Sequence, residues 1–130
     1  MIVALILMMM WTRSEVMHVE LVKIQNIEDG PIFPDCAFAR KIGFTRDKFD
    51  GYLWKDGDSI YISVIISKQP GKGNFSRLIN NILKMGYKVK VPLPSGLMRL
   101  ILLKKGFKKT YEWDYVYMDY VEVWVKEPER

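Results

Sequence analysis

Ile60-Tyr61-Ile62-Ser63-Val64-Ile65-Ile66-Ser67 runs straight into Lys68-Gln69-Pro70-Gly71-Lys72-Gly73, and then into Asn74-Phe75-Ser76-Arg77-Leu78-Ile79. The first run is rich in β-branched side chains, which suit a strand. Beyond the glycines, Phe75, Leu78, Ile79 and Ile82 recur at the i, i+3, i+4, i+7 spacing of one helical face. Arg77, Asn80, Asn81 and Lys84 take the other face, and Gly86 is placed to stop the helix. The order is therefore strand, glycine loop, helix. Glycine at 71 and 73 lets the backbone approach a ligand where a β-carbon would obstruct it. The first turn of a helix offers free N–H groups and a positive dipole end. Lys68 and Lys72 add full positive charge, so the segment predicts a phosphate-holding loop. The Walker pattern is absent, and Ser76 stands where the dinucleotide fingerprint needs glycine.

Charge is concentrated around this loop. Residues 68–110 contain eleven Lys or Arg and no Asp or Glu, whereas both flanks are net acidic. The overall +5 hides that contrast. It points to a polyanionic ligand with a local site.

On either side, alternation and punctuation supply further elements. Asp35 to Ile42 reads as a short helix capped by Asp35 and ended by Gly43, after a turn at Glu28-Asp29-Gly30-Pro31. Phe49–Trp54 and Ser59–Ser67 read as strands joined by a hairpin marked by Asp56-Gly57. Tyr87–Val91 alternates as a strand ended by Pro92 and Pro94. Ser95 caps a helix through Lys105, with Met98, Ile101 and Leu102 on its buried face and Gly106 after it. Tyr111 to Lys126 supplies one or two β segments bending near Asp114. Two more strands are expected before residue 28, at Met1–Trp11 and Val16–Ile27. The fold class is α/β (α+β), one domain over residues 1–130.

Composition narrows the function classes. About half the residues are hydrophobic, enough for a sizeable core. A single cysteine, Cys36, excludes an internal disulfide framework and fits a reducing, cytoplasmic setting. A single histidine, His18, leaves a zinc cluster little to work with. The apolar Met1–Trp11 is too short to span a bilayer, which takes about 20 residues. It reads as a buried or intersubunit strand, so a homodimer is an expectation and a membrane is not.

Ile60 to Phe107 resembles the core of the GCN5-related N-acetyltransferase (GNAT) family. That family carries Q/R-x-x-G-x-G/A between a central strand and a helix; here it is Lys68-Gln69-Pro70-Gly71-Lys72-Gly73. The closing L-x-x-x-G-F is Leu102-Leu103-Lys104-Lys105-Gly106-Phe107. The resemblance implies a mixed, mostly antiparallel central sheet with flanking helices. It implies acetyl-CoA as cofactor and an amine, on a small molecule or a protein, as acceptor. The amides of Gly71, Lys72, Gly73 and Asn74 would hold the pyrophosphate. The backbone around Ile65 and Ile66 would pair with the pantetheine, and Lys68 would stand near the adenosine phosphate. The family's general-acid tyrosine position is Leu102 here, and Ile60–Ser67 contains no carboxylate. The catalytic acid and base thus have no assigned residue. A CoA-binding relative without catalysis is one alternative; a nucleic-acid module using residues 68–110 is another, weakened by its few aromatics for base stacking.

Other conspicuous residues have plainer readings. Lys104, Lys105, Lys108 and Lys109 are expected to face solvent or steer a polyanion rather than touch a ligand. Tyr111, Tyr115, Tyr117 and Tyr120 suit a half-buried sheet.

Overall fold

The computed structural model describes residues 27–129, and residues from Pro31 onward form one compact unit. The strand expected at Met1–Trp11, and nearly all of the one at Val16–Ile27, lie outside the described residues. The described elements are β1 (Gly30–Ile32), α1 (Ala37–Ile42), β2 (Phe49–Asp56), β3 (Ser59–Ser67), α2 (Asn74–Lys84), β4 (Lys88–Pro92), α3 (Gly96–Lys104), β5 (Lys108–Asp114) and β6 (Asp119–Lys126). They build one six-stranded sheet in the order β1-β2-β3-β4-β6-β5. The fold is mixed α/β with a mostly antiparallel sheet. The pair β3–β4 is parallel, joined by the crossover through α2.

The apolar face read from the sequence is the one α2 buries: Leu78, Ile79 and Ile82 are fully enclosed. They pack in a core with Ile42, Phe44, Phe49, Leu53, Ile60 and Val89. Each such side chain contributes roughly 1.5–3 kcal/mol on burial. Asn81 ties α2 to α1 by donating from Nδ2 to the Ile42 carbonyl at 3.0 Å. Ser95 caps α3 as expected, accepting from Met98 N–H. Only Leu102 of that helix is fully buried. Arg99 anchors α3 to β6, its Nε lying 2.7 Å from Glu122 Oε2, which also accepts from Trp124 Nε1.

Several sequence expectations shift. Helix α1 begins at Ala37, and its cap is Cys36, whose sulfur accepts from Ala39 N–H. Asp35 is instead in the left-handed region (φ 69°), and its Oδ1 accepts from Arg46 N–H. The expected turn at 28–31 gives way to strand β1 from Gly30. β2 runs on to Asp56, so the hairpin turn is only Gly57-Asp58, with Asp56 facing Ser59. The last segment is a true hairpin, β5–β6, and its first strand starts at Lys108 rather than Tyr111. Asp114 shapes its turn by accepting from the N–H groups of Val116 and Tyr117.

Candidate functional site

The parallel pair is short. β3 and β4 are in register only over Ser59–Tyr61 and Lys88–Lys90; among the described residues β3 then continues to Ser67 beside β2 alone. An irregularity between Tyr52 and Trp54 accompanies the parting, with one extra residue on β3. Its consequence follows from two hydrogen bonds. Lys88 N–H donates to the Asp58 carbonyl, so residues 58 and 60 aim their backbone groups at β4. Lys68 N–H donates to the Lys48 carbonyl, so residues 64, 66 and 68 aim theirs at β2. The bulge turns the strand over, and the backbone groups of Ile65 and Ser67 face the open gap.

The glycine loop lies at the end of that gap. Gly71 and Gly73 both have positive φ, 80° and 77°. Gly73 is the N-cap of α2 and makes no side-chain cap hydrogen bond. The loop is braced from outside by Arg77, whose Nη2 donates to the Lys72 carbonyl (2.7 Å) and to Asn74 Oδ1 (2.6 Å). Beneath it is a cavity of about 460 Å³. Ile65 and Ser67 form its strand wall, Gly71, Gly73 and Asn74 its loop wall, and Met98, Ile101 and Lys105 its α3 wall. Asn74 is only 7% exposed, and its Nδ2 is buried without a hydrogen-bond partner. Among the described residues only Tyr87 Oη shares that condition. Leaving such a donor unsatisfied costs about 1–3 kcal/mol.

Of the residues singled out in the sequence, Ile65, Gly71, Gly73 and Asn74 come together around this cavity. Ile66 is 68% exposed on the opposite face, and its backbone turns toward β2. Lys68 forms an ion pair with Asp50 at 3.2 Å. Lys72 is exposed and does not line the cavity. Lys105, expected to face solvent, is half-buried there and hydrogen-bonded to Ser76 Oγ. The signal was in the sequence: Met98, Leu102 and Lys105 fall on one face of α3.

A second cavity, about 610 Å³, lies on the other face of the sheet. Tyr52, Trp54, Tyr61, Ser63, Pro92 and Trp113 give it walls, and Asp56, Glu112 and Asp114 give it negative charge. Tyr61 Oη donates to Glu112 Oε1 at 2.8 Å, and Lys90 Nζ lies 2.6 Å from Glu112 Oε2. Burial, and then the bond to Glu112, push the Tyr61 phenol well above its usual 10.0. Tyr61 is therefore neutral at every ordinary pH, a donor fixed on Glu112.

The basic block does not form one uninterrupted positive face. Lys68 pairs with Asp50, Lys88 with Asp58 and Glu127, Lys90 with Glu112, and Arg99 with Glu122. The acidic flanks fold back onto it. Among the described residues no cluster of His, Cys, Asp and Glu could hold a metal, and no helix is long and apolar enough to cross a membrane. No family model, curated protein or solved structure matches this chain.

Proposed function

We propose that this protein is an acetyl-CoA-dependent N-acetyltransferase acting on an amine. The observation that carries the reading is a cavity where the glycine loop and the uncapped N-terminus of α2 meet a stretch of β3 edge that no other described strand covers, with Asn74, whose Nδ2 has no partner, in its lining. Coenzyme A has the two features this place asks for: a pyrophosphate for the helix amides, and an amide-bearing arm for a strand edge. The backbone amides from Gly71 to Asn74, with Asn74 Nδ2 and the Lys105 ammonium, would hold the phosphates. The outward-turned backbone of Ile65 and Ser67 would orient the arm along the gap.

When bound, the cofactor supplies an activated acyl carbon as a thioester. The chain's part is orientation: the phosphate grip at one end of the gap and the strand edge along it fix the direction of approach. The acceptor amine is assigned to the second cavity, on the opposite face. There Asp56 and Asp114 favour a cation, Glu112 being already paired with Lys90, and Trp54 and Trp113 offer apolar walls. Transfer there would be direct, with no acyl-enzyme: the neutral amine's nitrogen would take the acyl carbon, the carbon–sulfur bond would break, and one amine proton would leave with the sulfur as free coenzyme A thiol.

Titration calorimetry with acetyl-CoA, using ATP and NAD as controls, tests the reading. Selective binding at micromolar level that is lost in Gly73→Val is expected. A β-carbon at 73 would meet Arg77 Nη1 at 3.2 Å in a left-handed backbone, disturbing the loop and its brace together. A folded protein that binds no acetyl-CoA would overturn it.

A further inference from the structure

Among the described residues β5 is the last strand of the sheet, so one edge of Lys108–Asp114 has no described ladder partner. Which backbone groups face outward follows from the neighbouring bonds. Leu93 N–H donates to the Glu122 carbonyl, so residues 122, 124 and 126 aim their backbone groups at β4. Val121, Val123 and Val125 therefore bond to β5, through their partners Glu112, Thr110 and Lys108. Lys109, Tyr111 and Trp113 are left with N–H and C=O turned outward, and all three residues are exposed.

We propose that β5 pairs antiparallel with β5 of a second copy of this chain, about a two-fold axis at Tyr111. The two sheets then become one. Such an axis joins Tyr111 to Tyr111 and Lys109 to Trp113, which are the residues whose backbone groups are free. An axis at Glu112 would set two carboxylates face to face and carry Lys109 into the turn. An axis at Thr110 would place Trp113 against Phe107, outside the strand.

The side chains agree with the same register. Lys108-Lys109-Thr110-Tyr111-Glu112-Trp113-Asp114 is basic at one end and acidic at the other. Paired antiparallel, Lys108 stands opposite Asp114 of the second copy, and Thr110 opposite Glu112, on one face. On the other face Lys109 meets Trp113, and Tyr111 meets its own counterpart. Opposite-charge and aromatic cross-strand pairs stabilise a sheet, and like charges directly opposite do the reverse. A parallel pairing would stack like on like. The interface is isologous, as closed two-fold dimers require. It also covers an edge that would otherwise invite uncontrolled pairing. Because Asp114 lines the cavity on the open face, Lys108 of the second copy reaches its rim.

Sedimentation equilibrium of the full chain should give a dimer. Tyr111→Pro deletes the central outward N–H without removing a bond to β6, a placement that edge strands tolerate. It should sediment as a monomer with unchanged far-UV circular dichroism. In a Cys36→Ser background, Tyr111→Cys should link two chains under mild oxidation. Directly bonded antiparallel partners have Cα atoms about 5.5 Å apart, within disulfide reach. Lys109→Cys, which faces Trp113, should not link. Lys108→Glu and Asp114→Lys should each be monomeric alone and form a heterodimer when mixed. A monomeric wild type at high micromolar concentration would overturn the proposal, as would a dimer in which Tyr111→Cys fails to link. If Tyr111→Pro unfolds, the cysteine pair decides.

Discussion

Gly51 lies directly against the Val64 carbonyl: a β-carbon at 51 would sit 1.9 Å from that oxygen. Gly51 also has φ of 102°, a conformation that side chains avoid. The contact is at the irregularity where β3 turns its backbone over, so this glycine permits the geometry that opens the gap to β4. Gly51→Ala should therefore destabilise the protein by on the order of 3 kcal/mol or more. Gly57→Ala is the comparison. Its φ is also positive, but nothing lies within 4 Å of the added carbon, so its cost should be about 1 kcal/mol. Urea unfolding of the two variants checks the ranking. Equal costs would mean that the close approach to Val64 is easily relaxed.

Asn74 separates stability from binding. Its Nδ2 is buried and unpaired, and its Oδ1 accepts from Arg77. Asn74→Ala removes an unsatisfied donor together with the part-buried hydrogen bond from Arg77, two opposing effects, so the net change in stability should lie within about 1 kcal/mol. The ligand, by contrast, would lose a preplaced donor. Acetyl-CoA affinity should fall roughly tenfold, equivalent to about 1.4 kcal/mol. Thermal melts with and without acetyl-CoA measure both quantities on one sample. A large loss of stability without ligand would make Asn74 a purely structural residue.

Tyr61 gives a prediction at alkaline pH. Its folded-state pKa is raised, first by burial and then by the hydrogen bond to Glu112. The proton is held more tightly in the folded chain than in the unfolded one. The associated stability is complete below the unfolded value near 10 and is lost as pH rises above it. Absorbance titration should find one tyrosine still neutral after the exposed ones have ionised, and Tyr61→Phe should remove that late step. Stability of Tyr61→Phe should also fall less steeply above pH 10 than that of the wild type. If all tyrosines ionise together, the Tyr61–Glu112 bond does not hold in solution.

The sequence was most legible where a single periodicity spoke clearly. Phe75, Leu78, Ile79 and Ile82 announced α2, and Asp56-Gly57 announced the β2–β3 hairpin. It was silent about the bulge. Ile62 to Ile66 is almost uniformly apolar, so the run has no alternation from which a reversal of faces could be read. Lys105 was less legible: a basic residue at a helix end ordinarily faces solvent or steers a polyanion, but this one is half-buried beside Met98 and Ile101 on the cavity wall. Asp35 was the better capping residue by type, yet Arg46 N–H, eleven residues away, takes its carboxylate. That contact depends on tertiary packing, which local pattern does not contain.

Lys105 supplies the sharpest charge test of the phosphate site. Lys104 and Lys105 are adjacent in sequence, but Lys104 is exposed whereas Lys105 is half-buried and lines the glycine-loop cavity beside Ser76. Lys104→Met and Lys105→Met change the net charge equally. If long-range attraction governed acetyl-CoA affinity, both would weaken it to the same degree and at low salt only. If a direct ammonium–phosphate contact governs it, Lys105→Met alone should weaken binding, by roughly tenfold or more, and the loss should persist at high salt because the partly buried pair is poorly screened. Titrations of both variants at two ionic strengths separate these cases. Equal behaviour of the two would remove Lys105 from the phosphate site and leave the helix amides and Asn74 as its only holders.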